Sequence, residues 1–247
     1  MFNYHVIDGF HKNPDVLVRL SIECEYENES RFNEHSLKSK KYPGLRSENL
    51  FYLDEDLFNY TCVKILSNYF DLVKNPVMCQ VDTCFQKIRR YSDVKESPLN
   101  KGWIHRDVNI PDVQIAGIVY LNKEVEENTG TTLYDLKNGC KYPYNDRNIQ
   151  KLNLYNGLEV NEQLYARDIS EKNNLFVEKI AVDNQYNRML CYDSYQYHGV
   201  PSFYRENGDR LTQVFFIKNI LPIQENMRGM KIPNLFDENY VTFTSKL

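Results

Sequence analysis

A chain of 247 residues with 42% hydrophobic and 13% aromatic content can fill one sizeable core. Its net charge of −4 and pI near 5.8 lack the basic footprint of a general nucleic-acid binder. No run reaches the roughly 18 apolar residues of a membrane span, and six scattered Cys without a CxxC pair point to neither a zinc ribbon nor a redox motif.

Phe2 to Ile7 is a β-prone run that ends at the Asp8-Gly9 turn. The opening MFNYHVIDGF lacks the regions of a signal peptide, so a cytoplasmic location is expected. Asn13 as N-cap and Pro14 at the first helical position open a helix over 14–26, with Val16, Leu17, Leu20 and Cys24 on one stripe. The basic KSKK at Lys38–Lys41 reads as a solvated loop. Tyr42 to Ser47, YPGLRS, is a Pro-Gly turn carrying Arg46. A second helix is predicted over 54–73, with Leu57, Phe58, Cys62, Ile65, Leu66, Tyr69 and Phe70 on its apolar face, stopped by Asn75-Pro76. Both helices should brace a sheet from outside.

From Val77 the pattern is β. Cys79 to Tyr91 alternates, with a slip between Phe85 and Ile88 that predicts a bulge or two short strands. Ser92 to Gly102 is a loop. Gln114–Leu121 is a strand, Asn122–Asn128 an acidic turn, and Gly130–Tyr134 a turn and strand. Tyr134 to Lys179 is long and polar, an insertion with a few short elements and a candidate lid. β character returns at Leu175–Ile180, Arg188–Tyr192 and Leu211–Ile217. No boundary is visible, so one domain is expected over 1–247. It has helical support to about 76, a β core over about 77–220, an insertion over about 136–179 and a tail from 221.

His105 and Asp107 form a His-x-Asp pair. In an extended segment residues i and i+2 point to one side, so both can reach one cation. A third ligand, His198, would come from a neighbouring strand. Two imidazoles and one carboxylate leave three adjacent positions open on an octahedral ion. A bidentate oxoacid can fill two of them and dioxygen the third. Zinc accepts the same ligands with one water, so the ligands alone do not fix the metal. Arg210 adds a constraint. A buried guanidinium needs an anion and grips a carboxylate in bidentate fashion, so a dicarboxylate such as 2-oxoglutarate would suit both ends.

The ordered segments HRD, AGIVYLNKE, GTTLY, HGVP and GDRLT resemble the Fe(II)/2-oxoglutarate dioxygenases, most closely the prolyl-4-hydroxylase-like branch. The resemblance covers residues 77–135 and 186–218. VIDGFHKNPD and YPGLRS also look like uncharacterised phage and marine bacterial members, which adds no function. The resemblance implies a mainly β fold with flanking helices, a double-stranded β-helix of jelly-roll type. It implies His105, Asp107 and His198 as iron ligands, Arg210 as partner of the distal 2-oxoglutarate carboxylate, and Thr212 as its hydroxyl neighbour. Tyr120 matches a Tyr that bonds that carboxylate in some members, and Tyr91 the Tyr on the strand before the His-x-Asp. For both, core packing is an equal alternative. Leu133 and Val200 match pocket-wall positions. Trp103 is a candidate to shape the substrate mouth, or plain packing.

The implied cofactors are Fe(II), 2-oxoglutarate and O2, with ascorbate a candidate reductant. The implied reaction hydroxylates an unactivated C–H bond on a peptide, protein or amino-acid side chain and releases succinate and CO2. Asp107, where a halogenase has Gly or Ala, favours hydroxylation. Phe216, where nucleic-acid demethylases carry a second Arg, argues against a nucleic-acid partner, and no membrane partner is expected. Gly130-Thr131 departs from the usual Gly-Gly pair, and the insertion is longer than in compact prolyl hydroxylases. Two rivals stay open: a cupin-like metalloenzyme without 2-oxoglutarate, and a non-catalytic jelly-roll binding or virion protein.

Overall fold

The computed structural model describes residues 4–26, 42–107, 113–141, 148–222 and 240–243. Lys38–Lys41 and most of the expected tail lie outside the described residues. Ten strands appear: β1 (Tyr4–Ile7), β2 (Leu45–Asn49), β3 (Val77–Ile88), β4 (Val113–Tyr120), β5 (Thr131–Leu136), β6 (Phe176–Val182), β7 (Met189–Asp193), β8 (Tyr197–Gly199), β9 (Arg210–Pro222) and β10 (Tyr240–Phe243). The helices are α1 (Pro14–Glu23), α2 (Leu50–Leu53), α3 (Glu55–Leu66), α4 (Ile149–Tyr155) and α5 (Glu162–Asn173). Among the described residues no helix is long and apolar enough to cross a membrane.

Among the described residues the strands form two antiparallel sheets. The larger runs β1-β7-β4-β9-β3, and β2 and β10 share the far edge of β3 in tandem. The smaller runs β6-β5-β8. Side chains alternate across β4: Ala116 and Tyr120 face the small sheet, while Ile115 and Val119 face the helices. The inner layer joins Tyr120, Leu190 and Tyr192 to Leu133 and Val182. The outer layer packs Leu17, Phe58, Cys62, Ile65 and Leu66 on Val81, Phe85 and Phe215. This is the two-sheet, helix-backed arrangement expected of the jelly-roll type.

Several boundaries differ from expectation. β3 is one strand of 12 residues, with no break between Phe85 and Ile88. Phe85 is buried on one face and Gln86 and Ile88 on the other, so the switch of buried face near the end of the strand mimics a phase slip. The register shifts fall elsewhere, at Met78/Gln80 opposite β9 and at Arg46/Asn49 opposite β2. The Tyr42–Ser47 turn leads straight into β2, which the sequence does not announce. α3 begins as expected, with Asp54 accepting from the Leu57 amide at 2.9 Å. It stops at Leu66 because Ser67 and Asn68 turn their side chains back onto the carbonyls of Val63, Lys64 and Ile65. Asn13 holds the cap position of α1 without a side-chain bond. Among its described residues the insertion holds two helices, each capped by an Asn: Asn148 accepts from Lys151 N and Asn161 from Leu164 N.

His11, between β1 and α1, is 3% exposed, with Nε2 3.0 Å from Gln213 Oε1 on β9. Burial first, and nearby Lys64 as a weaker cause, lower its pKa from 6.5 to about 4. Below pH 6.5 the unfolded chain gains a proton that the folded chain refuses. Stability is therefore unaffected above 6.5 and falls as pH drops towards 4, by about 3 kcal/mol at roughly 1.4 kcal/mol per pH unit. Urea unfolding of wild type and His11→Gln between pH 7 and 4 should show a shallower slope in the variant. Parallel slopes would refute the assignment.

Candidate active site

Gly102 to His105 runs beside β8. His105 and His198 exchange both backbone hydrogen bonds, at 2.9 Å each. The single-strand origin expected for the His-x-Asp pair is corrected here. His105 makes an isolated bridge, and Asp107 is held by its amide to Ser194 O at 3.1 Å, before β4 begins at Val113. The i, i+2 geometry nevertheless delivers both side chains. His105 Nε2 lies 3.8 Å from Asp107 Oδ1, and His198 Nε2 lies 3.5 Å from Asp107 Oδ2. One ligand atom from each residue lies within 4.8 Å of the others. No side-chain hydrogen bond joins the three, and their spacing leaves room for a cation.

The ring orientations suit metal binding. His105 Nδ1 is 2.8 Å from Trp103 O, and His198 Nδ1 is 3.0 Å from Gln196 O. A carbonyl only accepts, so Nδ1 carries the proton on both rings and Nε2 presents its lone pair towards Asp107. Gln196 is itself pinned by Nε2 to Tyr134 O at 2.6 Å. The His198 ring packs 4.6 Å from Tyr192 and 4.4 Å from His105. Burial first, then the His198 ring, push the His105 pKa down, although 37% of the side chain stays exposed.

The insertion braces this segment. Asn173 at the end of α5 accepts from Ile104 N at 3.1 Å and donates to Gly102 O at 3.0 Å. Trp103 is buried against Leu154, Tyr155 and Ile169, with its indole N–H 2.9 Å from Tyr165 Oη. It packs under the insertion rather than shaping a mouth.

A second group lies further along the inner face. Arg210 is 2% exposed, and its Nε donates to Thr129 O at 2.8 Å. Its Nη2 and Thr212 Oγ1 are buried without a well-aligned hydrogen-bond partner, while Tyr120 Oη lies close to both Thr131 and the guanidinium without aligning well on either. Tyr120 and Thr212 are register partners across β4 and β9, and the guanidinium lies 5.6 Å from the Tyr120 ring. Burial, the dominant cause, lowers the Arg210 pKa. No carboxylate pairs with it among the described residues. Arg205, unnoticed in the sequence, adds a second buried guanidinium close enough to act on Arg210. The only signal for it is the five-residue spacing of two arginines in YRENGDR. Two buried polar atoms without partners, Arg210 Nη2 and Thr212 Oγ1, with the Tyr120 hydroxyl and a second guanidinium beside them, fit a carboxylate. Leu133 is buried on the inner wall and Val200 is half-buried. Tyr91 lies past the end of β3. Its hydroxyl accepts from Gly44 N at 3.3 Å and its ring packs with Tyr155 and Phe203, so its contacts are with the turn, the insertion and the segment between β8 and β9.

Gly130 sets the spacing behind Arg210. A Cβ there would stand 2.0 Å from Val182 O on β6. Gly130→Ala should cost about 2 kcal/mol and lower Tm by roughly 4–8 °C. An unchanged melting curve would show that β5 and β6 can separate freely.

This is the fold of the Fe(II)/2-oxoglutarate oxygenases. HygX from Streptomyces hygroscopicus, solved with nickel and 2-oxoglutarate bound, superposes with a TM-score of 0.52 at 12% identity, over 88% of this chain and 83% of that one. A Pseudomonas putida prolyl-4-hydroxylase gives 0.45 at 11% identity, over 89% and 94%. The chain belongs to a family of unknown function, DUF6445, whose model matches residues 3–201. That span holds His105, Asp107 and His198 and stops before Arg210. No curated protein matches the sequence.

Proposed function

We propose that this chain is an Fe(II)- and 2-oxoglutarate-dependent oxygenase that hydroxylates an unactivated C–H bond on a peptidyl or free amino-acid side chain. The observation that carries this reading is a site with two ends. A His-Asp-His group lies at one end, and a buried arginine without an anion lies at the other. His105 and His198 would hold the iron through Nε2 and Asp107 through its carboxylate. Arg210, Thr212 and Tyr120 would hold the distal carboxylate of 2-oxoglutarate. Fe(II) with 2-oxoglutarate, when bound, supplies dioxygen activation coupled to loss of CO2 and formation of succinate.

The protein's part is placement. The Trp103 and Gln196 carbonyls keep both imidazole lone pairs aimed inward, and Asp107 offsets one of the two metal charges. Ala116, Leu133 and Leu190 keep the inter-sheet space apolar, which strengthens the ionic contacts at both ends. The triad alone fits zinc as well. The anion cradle favours an oxoacid, and HygX offers a precedent in this fold for a metal with 2-oxoglutarate.

The test is anaerobic addition of Fe(II) and then 2-oxoglutarate. A weak visible charge-transfer band and a higher Tm are expected, followed in air by succinate release with amino acids or peptides. If 2-oxoglutarate adds neither band nor stability to the iron-loaded protein, the proposal fails. If the metal does not bind, the cupin-like alternative fails too.

A further inference from the structure

The register of the large sheet sets four residues in one row. Tyr120 pairs with Thr212, Thr212 with Gln86, and Gln86 with Arg46. Directly paired residues share a face, so Arg46 stands on the inner face with Tyr120 and Thr212, two strands beyond β9. Its guanidinium lies 3.9 Å from the Tyr42 ring and 5.2 Å from the Phe216 ring. Phe216 belongs to the next row but one, where it pairs with Ala116 and Ala116 with Tyr192. Tyr192 carries the His198 ring. From Tyr192 to Phe216 is two strand spacings, roughly 10 Å, a gap that a small molecule can bridge.

Arg46 is built to wait. Its Nε is buried without a hydrogen-bond partner, and no carboxylate pairs with it among the described residues. Asp82, beside Phe216 in the register, is engaged by Lys218. The preceding turn is locked onto β3. Gln86 Nε2 donates to Pro43 O at 2.7 Å, and Gly44 N donates to Tyr91 Oη at 3.3 Å. Gly44 has φ +72°, and a Cβ there would meet Lys87 O at 2.1 Å. A guanidinium held against two rings on a fixed strand has little freedom left to lose on binding.

We propose that Arg46 selects the substrate by gripping a carboxylate on it, while the carbon to be oxidised faces the His105–Asp107–His198 group. This rests on the function proposed above and narrows it to substrates that carry a carboxylate. A free amino acid would present its α-carboxylate, and a peptide an Asp or Glu side chain.

The test uses the full chain with Fe(II) and 2-oxoglutarate and follows succinate release. Three sets of compounds are supplied: free L-amino acids, their α-amides, and end-blocked peptides whose only carboxylate is an Asp or Glu side chain. A compound of the first or third set should stimulate release, and its carboxamide counterpart should need about tenfold more for half-maximal rate. Arg46→Gln should raise KM for the acid by about tenfold or more with kcat within about twofold, and erase the acid–amide difference. Arg46→Lys should recover part of the loss. Which set responds separates an α-carboxylate from a side-chain carboxylate. The proposal is overturned if acid and amide serve equally, if Arg46→Gln leaves KM unchanged, or if no carboxylate in the panel stimulates release. Binding of 2-oxoglutarate to the nickel-loaded protein is titrated first. Unchanged affinity in Arg46→Gln shows an intact site, and no binding by wild type sinks the underlying function before any substrate is added.

Discussion

Asp107→Ala should leave a folded protein that no longer holds Fe(II). Asp107 is 7% exposed and stands 3.5–3.8 Å from two imidazoles. It is the only carboxylate in the group, so it alone offsets the charge of a divalent ion in a poorly hydrated place. Two neutral imidazoles remain in the variant, and they suit many ions weakly. Iron affinity should fall at least about 100-fold, close to 3 kcal/mol, and succinate release should vanish. The apo fold should not suffer, because a buried carboxylate without a cation gains little from its surroundings and removing it relieves desolvation. Isothermal titration with Fe(II) under argon and apo melting curves read the two effects separately. An apo Tm several degrees lower with iron affinity intact would mean that the Asp107 carboxylate serves the fold itself and would remove the metal from the argument.

How legible this site is in the sequence depends on the range of the physics behind each part. The His-x-Asp pair is local, and period-two geometry delivers it even though a bridge replaces the expected strand. Arg210, Thr212 and Tyr120 come from the resemblance rather than from periodicity, and the structure sets them on β9 and β4 with Tyr120 and Thr212 in register. The two outer helices are legible from their apolar stripes, although the end of α3 is not. That end is decided by Ser67 and Asn68, whose side chains compete for backbone carbonyls at no cost to composition. The insertion hides its helices because it is polar and buries few apolar residues, chiefly Leu154, Tyr155, Tyr165 and Ile169. Asn148 and Asn161 were the available signals, as caps rather than loop residues. Trp103 and Arg46 are the instructive pair. Neither is interpretable until non-local contacts are known, since Tyr165 lies 62 residues from Trp103 and the Arg46 row is a product of sheet register.

Arg210→Met carries the second large effect, and its sign differs between the apo and the loaded protein. Wild-type Arg210 is buried with a hydrogen bond from Nε to Thr129 O and the Tyr120 hydroxyl nearby, and its Nη2 has no partner. Holding a guanidinium there costs desolvation that no carboxylate offsets in the empty protein. Methionine fills a similar volume without charge, so apo Tm should stay level or rise. 2-Oxoglutarate then loses its charge-assisted fork, worth about 1.5–3 kcal/mol, and its dissociation constant should rise roughly 10- to 150-fold. Fe(II) affinity should not move, because Arg210 is remote from the triad ligands in the register. The loaded protein therefore separates the roles. At a 2-oxoglutarate concentration about 100 times the wild-type Kd, the ligand adds about 2.7 kcal/mol to wild-type stability, and the variant should show only a small part of that. Arg210→Lys should fall between, since it keeps the charge and loses the planar fork. A variant that unfolds early yet binds 2-oxoglutarate as tightly as wild type would mean that Arg210 serves Thr129 and the β5 turn, and the cosubstrate would need another anchor.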